Sequence, residues 1–207
     1  MNIVLVGDSV FDNGPYVNEG EEVSQLLANL LGEHTVTLLA VDGDMTTDVY
    51  KRLEAFPEDA SHVFVSCGGN DALESGYVLE EPARSVNEAL GKLHSIKERF
   101  RLNYSQLLKA LLEKHPNLTA CTIYNRVPEV PDEALTALGL FNEVILEEAF
   151  KRKLAVIDLR VICNEKEDYS AVSPIEPSHQ GGMKIVNTIK KVLETHEFNE
   201  QMSCVYA

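Results

Sequence analysis

The chain has 207 residues, of which 44% are apolar, enough for a globular protein with a buried core. Its 33 acidic and 18 basic residues give a formal net charge of −15, which excludes nucleic acid and anionic membrane surfaces as expected partners. Because no apolar run approaches the ~20 residues that cross a bilayer and no signal peptide precedes the first predicted strand, we predict a cytoplasmic protein without membrane contact.

The first predicted strand ends in a polar turn. Residues 3–6 are apolar and mostly β-branched, and the sequence Gly7-Asp8-Ser9 follows them directly. In a parallel sheet this turn places the hydroxyl of Ser9 at the carboxyl edge, where open α/β folds bind their ligands. Ser9 is therefore the candidate nucleophile.

Strands and helices alternate along the rest of the chain. Apolar periodicity predicts a crossover helix over 23–31, a helix capped by Thr46 or Thr47, two helices within 82–115 that break between Arg101 and Ser105, a helix over 132–151 and a last helix that follows Gly181 or Gly182. Further strands are predicted over 36–41, 63–67, 118–124 and 154–159. The alternation predicts a three-layer α/β/α sandwich around a parallel sheet, with residues 1–207 as one domain.

Polar turns follow the first three predicted strands. In a flavodoxin-like strand order of 2-1-3-4-5, these strands are neighbours at ~4.8 Å, so Gly43, Ser9 and Asn70 line up along one edge. When a serine attacks an ester, negative charge develops on the carbonyl oxygen, and pre-aimed N–H groups stabilise it. The backbone N–H groups of Ser9 and Gly43 and the side-chain amide of Asn70 are the candidate donors.

A serine hydroxyl needs a base to accept its proton, and His179 is the candidate for that role. Glu176 lies three residues earlier, a separation that puts both side chains on one side of a helical turn, so its carboxylate is the candidate to orient the imidazole. Asp158 and Asp168 are alternative candidates for this acid.

The ordered set of Ser9 in Gly-Asp-Ser, Gly43, Asn70 in Gly-Gly-Asn-Asp, and His179 resembles the four blocks of the GDSL, or SGNH, hydrolase family of lipases, esterases and acylhydrolases. The resemblance implies a five-stranded parallel sheet and metal-independent ester hydrolysis through an acyl-enzyme, with no cofactor. The last block departs from the family, which usually has Asp where this chain has Glu176.

Two functions stay open at this point. The first is a serine esterase or acylhydrolase acting on a small-molecule ester, and the second is a non-catalytic protein of the same fold that binds a small ligand. Phe11, Tyr77 and Val127 lie in loops near the predicted edge, where they either form a substrate pocket or anchor the loops. The four cysteines lack Cys-x-x-Cys spacing, which favours reduced thiols over disulfides or a metal site.

Overall fold

The computed structural model describes residues 1–200 and 202–207. Its parallel sheet has six strands in the order β2-β1-β3-β4-β5-β6. The strands are β1 (Asn2–Gly7), β2 (Thr35–Leu38), β3 (His62–Ser66), β4 (Leu118–Cys121), β5 (Ala155–Ile157) and β6 (Val205–Tyr206). The α-helices are α1 (Val23–Leu31), α2 (Thr46–Arg52), α3 (Gly69–Glu74), α4 (Val86–Lys114), α5 (Asp132–Lys151), α6 (Leu159–Ile162) and α7 (His179–Thr195), and short 3-10 turns cover Gly14–Tyr16, Leu53–Ala55, Ser75–Glu80 and Lys166–Asp168.

Helices cover both faces of the sheet. Successive side chains of a strand point to opposite faces, so Ile3 and Leu5 pack on the face covered by α1 and α7, whereas Val4 and Val6 pack on the face covered by α4 and α5. The predicted α/β sandwich with strand order 2-1-3-4-5 is thereby confirmed. The structure adds a sixth strand, formed by two residues of the tail for which the sequence shows no pattern.

Helix α4 is continuous over 29 residues, so the predicted break between Arg101 and Ser105 is wrong. A buried stripe runs through this region, with Phe100 and Tyr104 both almost inaccessible to solvent. Arg101 lies between them on the outer side and forms ion pairs with Glu98 of the same helix and Glu147 of α5. Packing on one side and ion pairing on the other stabilise the helix across the residues where a break was predicted.

None of the helices among residues 1–200 and 202–207 combines the length and the apolar composition needed to cross a membrane.

Candidate active site

Ser9 lies in the tight turn that directly follows β1, at the carboxyl edge of the sheet. Gly7 ends the strand with φ +140°, and a Cβ there would lie 1.8 Å from the carbonyl oxygen of Ser66 in β3, so only glycine fits this close approach. The Asp8 carboxylate braces the turn, because its Oδ1 accepts a hydrogen bond from the Val10 N–H at 3.2 Å. The turn that carries Ser9 is therefore fixed by the end of β1, by the close approach at Gly7 and by the hydrogen bond to Asp8.

The turns after the two neighbouring strands bring Gly43 and Asn70 to the same edge. Gly43 is exposed and has φ +82°, in the left-handed region that favours glycine. The Asn70 amide donates to the carbonyl oxygen of Asp44 at 3.0 Å, which ties the turn after β3 to the turn after β2 and leaves one amide hydrogen unused. Among the described residues, the backbone N–H groups of Ser9 and Gly43 donate to no other group. Three hydrogen-bond donors thus remain available at this edge of the sheet.

Glu176 is the carboxylate that interacts with Ser9. Both residues line one cavity, and a hydrogen bond from the Ser9 hydroxyl lowers the pKa of the carboxyl group. Burial outweighs this effect: Glu176 is 3% exposed, and desolvation raises its pKa from 4.5 to about 7. Its Oε2 atom has no hydrogen-bond partner within the part of the chain that the structure describes.

Hydrogen bonds fix the backbone on both sides of Glu176. Its N–H donates to the Ser173 carbonyl at 3.0 Å, and its own carbonyl accepts from the Ser170 N–H at 2.8 Å. The carbonyl of Pro177 then accepts from the side-chain amide of Asn13 at 3.0 Å, which links this segment to the turn that carries Ser9. The carboxylate is therefore held at Ser9 by a preformed loop.

His179 does not lie at Ser9. Helix α7 begins at His179 because the hydroxyl of Ser178 caps it, accepting a hydrogen bond from a backbone N–H of the first turn. The imidazole is 51% exposed, and its Nδ1 atom lies 3.9 Å from Glu21 Oε1. No histidine among the described residues borders the cavity or forms a hydrogen bond with Ser9.

The expected pairing of Glu176 with His179 on one helical turn is likewise absent. Glu176 precedes α7, and Pro177 and Ser178 lie between it and the first helical residue. The three-residue spacing therefore does not place the two side chains on one helix face. Glu176 lines the same cavity as Ser9, whereas His179 does not.

An apolar cavity extends from Ser9 toward α4 and α5. Its empty volume is about 1140 Å³, part of which is open to solvent at the mouth. The polar end is formed by Ser9, Asn70 and Glu176, whereas the walls come from α3, the 3-10 turn after it, α4, α5 and the loop after β4. Typical apolar wall residues are Val78, Leu93, Ile96, Leu138 and Phe141.

Of the three predicted pocket residues, only Val127 lines this cavity. Phe11 is fully buried in the core cluster under α1 and α7 and is not among the lining residues. Tyr77 is 55% exposed and also stands outside the lining. Phe11 therefore anchors the turn after Ser9, which is the alternative that the sequence left open for these loop residues.

A family model for the GDSL-like lipase/acylhydrolase family matches residues 5–181, which include Ser9, Gly43, Asn70 and Glu176. The chain belongs to this family. Membership places it among the ester-bond hydrolases and confirms the resemblance read from the sequence.

Solved structures of lipases and esterases have the same fold as this GDSL-like hydrolase. An extracellular lipase from Streptomyces rimosus is 16% identical, with a TM-score of 0.69 over 92% of this chain and 99% of that chain. A lipase/acylhydrolase from Enterococcus faecalis is 25% identical, with a TM-score of 0.62 over 92% and 95%. An acetyl xylan esterase is 14% identical, with a TM-score of 0.71 over 93% and 100%. No curated protein matches the sequence.

The two alternative acids of this GDSL-like hydrolase have structural partners away from Ser9. Asp158 caps α6, accepts a hydrogen bond from Thr122 and pairs with Arg160. Asp168 is completely buried and pairs with Lys184 of α7. Neither lines the cavity. Among the described residues, no three His, Cys, Asp or Glu side chains are grouped so as to hold a metal ion.

Asp8 is a second buried carboxyl group, next to Ser9 in the chain of this hydrolase. Its pKa is raised from 3.8 to about 8, chiefly by burial; the hydrogen bond from Val10 opposes the rise, and the negative charges of Glu176 and Asp71 contribute to it. Asp8 is therefore largely protonated near neutral pH, so that the site does not carry two adjacent full negative charges.

Sequence reasoning missed the role of Asp12, Asn13 and Tyr16 in building the site. Asp12 Oδ2 accepts a hydrogen bond from the backbone N–H of Asp42, next to Gly43, and the Tyr16 hydroxyl donates to Asp42 Oδ2 at 2.7 Å. Asn13 holds the loop of Glu176. These polar residues follow the Gly7-Asp8-Ser9 turn closely in the sequence, but the partners named here lie 26 to 164 residues away.

Proposed function

We propose that the protein is a serine esterase or acylhydrolase in which Ser9 is the nucleophile and Glu176, not His179, is the general base. The observation that carries this proposal is the position of the buried Glu176 carboxylate at the polar end of the cavity together with Ser9, an end that no histidine of the described residues borders. A base works best when its pKa lies near the working pH, and burial raises the pKa of Glu176 to about 7.

The reaction then follows the usual two halves of acyl transfer. Ser9 Oγ attacks the ester carbonyl carbon while its proton passes to Glu176, and the protonated carboxyl group next gives that proton to the departing alkoxide. A water molecule attacks the resulting acyl-serine, with Glu176 again accepting a proton and returning it to Ser9 Oγ. Carboxylic acid and alcohol leave, and the enzyme is restored without a cofactor.

The oxyanion of each tetrahedral intermediate requires hydrogen-bond donors that are already in place. The N–H groups of Ser9 and Gly43 and the unused amide hydrogen of Asn70 supply them. Because the Asn70 amide is held by Asp44, its orientation does not have to be established during the reaction. Removal of such a donor typically lowers the rate by ~10²–10³-fold.

The apolar cavity accommodates the acyl group of the substrate. Its walls carry almost no polar groups except at the end next to Ser9, so a hydrocarbon chain gains free energy on entering it. This arrangement favours esters of medium or longer acyl chains over acetate esters.

The decisive experiment compares four variants on a p-nitrophenyl acyl ester. We expect Ser9→Ala and Glu176→Gln each to lower kcat/KM by at least ~10²-fold, because the first removes the nucleophile and the second removes the base but keeps the shape. His179→Gln and the matched change in its partner, Glu21→Gln, should stay within about threefold of the wild type. A large loss in His179→Gln with full activity in Glu176→Gln would refute the assignment of the base.

A non-catalytic binding function is the second candidate, and one observation favours it: no imidazole borders the cavity in the described part of the chain. An alkyl fluorophosphonate distinguishes the two functions, because it reacts only with an activated serine. Stoichiometric labelling that Ser9→Ala abolishes supports the esterase. Absence of labelling in folded wild-type protein would favour the binding function.

A further inference from the structure

A tyrosine side chain in the wall of the cavity holds the segment that carries Glu176. Tyr124 follows the end of β4, is 4% exposed and lines the cavity together with Ser9 and Glu176. Its hydroxyl donates a hydrogen bond to the carbonyl oxygen of Ile175, the residue directly before Glu176. This bond joins the loop after β4 to the loop before α7, 51 residues further along the chain.

Tyr124 is itself held from two directions. The N–H of Ile123 donates to Asn142 Oδ1 in α5, and Asn142 Nδ2 donates to the carbonyl of Ile123, each at 2.8 Å, so the backbone before Tyr124 is tied to a buried helix residue. The Tyr124 ring packs edge-on against the ring of Tyr169, with 5.2 Å between the centroids and 87° between the planes. The hydroxyl therefore bonds to Ile175 from a fixed position.

The burial of Glu176 depends on the segment that this bond secures. A carbonyl that loses its hydrogen-bond donor in a part-buried position needs water as a new partner. Water at the Ile175 carbonyl lies next to Glu176, whose side chain is otherwise buried. Because burial is the main cause that raises the pKa of Glu176 to about 7, hydration of this segment would lower that pKa.

The titratable groups that interact electrostatically with Glu176 come from three loops around the cavity end. They are Asp8 and Tyr16 after β1, Asp42 after β2 and Tyr124 after β4. None of these four carries a positive charge. Burial raises the pKa of the Tyr124 hydroxyl well above its usual value, so this group is neutral. Removing it leaves every charge around Glu176 in place.

We propose that Tyr124 is a positioning residue of the enzyme: by holding the Ile175 carbonyl, its hydroxyl keeps the Glu176 carboxylate buried at the polar end of the cavity. This inference rests on the proposed function, because Tyr124 acts on catalysis only through Glu176 as the base. The hydroxyl donates to a backbone carbonyl and takes no part in proton transfer.

The variant Tyr124→Phe tests this role, because it removes the hydroxyl and keeps the ring that lines the cavity. On a p-nitrophenyl acyl ester, we expect the apparent pKa of kcat/KM to fall from about 7 to about 6 or lower. We expect kcat on the high-pH plateau to fall about 10-fold, with KM within about twofold of the wild type. An unchanged pH profile and kcat, with Glu176→Gln inactive, would overturn the inference and leave the proposed function intact.

Tyr169→Phe is the matched control. Tyr169 is 5% exposed and its hydroxyl donates to a backbone carbonyl, that of Cys163, at 2.8 Å, but Tyr169 does not line the cavity. The two variants lose equivalent hydrogen bonds, so urea denaturation should show both folded and similarly destabilised. The pH profile of Tyr169→Phe should match that of the wild type, and its kcat should stay within about twofold. Equal changes in both variants would refute a specific role of Tyr124.

An NMR titration of the substrate-free protein tests the inference without hydrolysis. Glutamate that is isotope-labelled at its side-chain carboxyl gives a signal for Glu176, which is identified by its loss in Glu176→Gln. We expect a midpoint near pH 7 in the wild type and in Tyr169→Phe, and a lower midpoint in Tyr124→Phe. This result supports the positioning role even if no ester is cleaved, an outcome that would refute the esterase alone. Equal midpoints in the wild type and Tyr124→Phe would refute the inference.

Discussion

At Ser9 the carboxylate of Glu176 lies where an imidazole was expected from the sequence. A carboxylate with its ordinary pKa of about 4.3 is a weak base toward a serine hydroxyl, and burial is the physical means of strengthening it. Glu176 meets this condition, because desolvation raises its pKa to about 7 although the Ser9 hydroxyl opposes the shift. Its Oε2 atom is buried and has no hydrogen-bond partner among the described residues, so this placement of the carboxylate costs stability.

The pH dependence of activity follows from this pKa. The carboxylate is the active form, so kcat/KM should rise with pH, with an apparent pKa near 7, and then reach a plateau. This rise of kcat/KM with pH should be unchanged in His179→Gln, whereas the residual activity of Glu176→Gln should not show it. If the rise of kcat/KM with pH disappeared in His179→Gln, the titrating group would instead be the histidine.

The position of Glu176 rather than His179 beside Ser9 could not be predicted from the sequence, because it depends on where α7 begins. A histidine three residues after an acid is compatible with a helical turn that contains both, and only the cap by Ser178 places the helix start at His179 itself. The positions of Ser9, Gly43 and Asn70 could be predicted, because each lies a few residues after the end of a strand and its place at the edge follows from the strand order.

At the scale of elements, Asn13 joins three segments that are far apart in the sequence. Its Oδ1 accepts from the Val23 N–H at the start of α1, and its Nδ2 donates to the Pro177 carbonyl next to Glu176. Asn13→Ala leaves both buried backbone groups without partners, so we expect a loss of roughly 2–4 kcal/mol in the free energy of unfolding, measured by urea denaturation.

The same variant should lose activity at temperatures where it remains folded, because the loop that positions Glu176 loses its anchor. Asn18→Ala is the control: Asn18 is exposed and hydrogen-bonds only to nearby Glu21, so its removal should change stability by less than about 0.5 kcal/mol. Equal stabilities of the two variants would show that Asn13 is not a structural link.

Helix α4 carries a buried hydroxyl that has no partner. Tyr104 is 0% exposed, and its OH group forms no hydrogen bond within the described residues. We expect Tyr104→Phe to raise the free energy of unfolding by up to about 1 kcal/mol, because a desolvated hydroxyl is removed and the ring is kept. Tyr50→Phe, at a ring that is 41% exposed, should leave stability unchanged. A clear destabilisation by Tyr104→Phe would indicate a hydrogen bond through buried water.

The elements that sequence reasoning misjudged depend on distant partners. In the uninterrupted α4, the positive charge of Arg101 is paired with Glu147 of α5. Strand β6 forms because the backbone N–H groups of Val156 and Asp158 donate to the carbonyls of Cys204 and Tyr206. Neither partner is visible in a local window of sequence. In contrast, α1 and α5 begin and end close to their predicted bounds because their apolar periodicity is complete within the element itself.

At the scale of the whole molecule, the strand order brings Ser9 and Glu176, which are far apart in the sequence, to one edge of the sheet. Acidic groups are found together at this edge. Two of these groups, Asp8 and Glu176, have raised pKa values of about 8 and about 7. Between pH 4 and 8 the folded protein therefore holds protons that the unfolded chain has released, and these two groups make the folded state less stable as pH rises. Carboxylates such as Glu148, whose pKa is lowered to about 2, act in the opposite sense but only below pH 4.5.

Asp8→Asn isolates the larger of these contributions. Asparagine keeps an oxygen that can accept from the Val10 N–H, but it has no proton to lose, so the variant should gain stability relative to the wild type as pH rises from about 4 to 8. The difference should change by at most ~1.4 kcal/mol per pH unit and level off above the pKa of about 8. Urea denaturation at pH 5, 7 and 9 measures it, with Glu58→Gln as an exposed control whose effect does not vary over this range. A difference that is the same at all three pH values would mean that Asp8 ionises in the folded state as readily as in the unfolded chain.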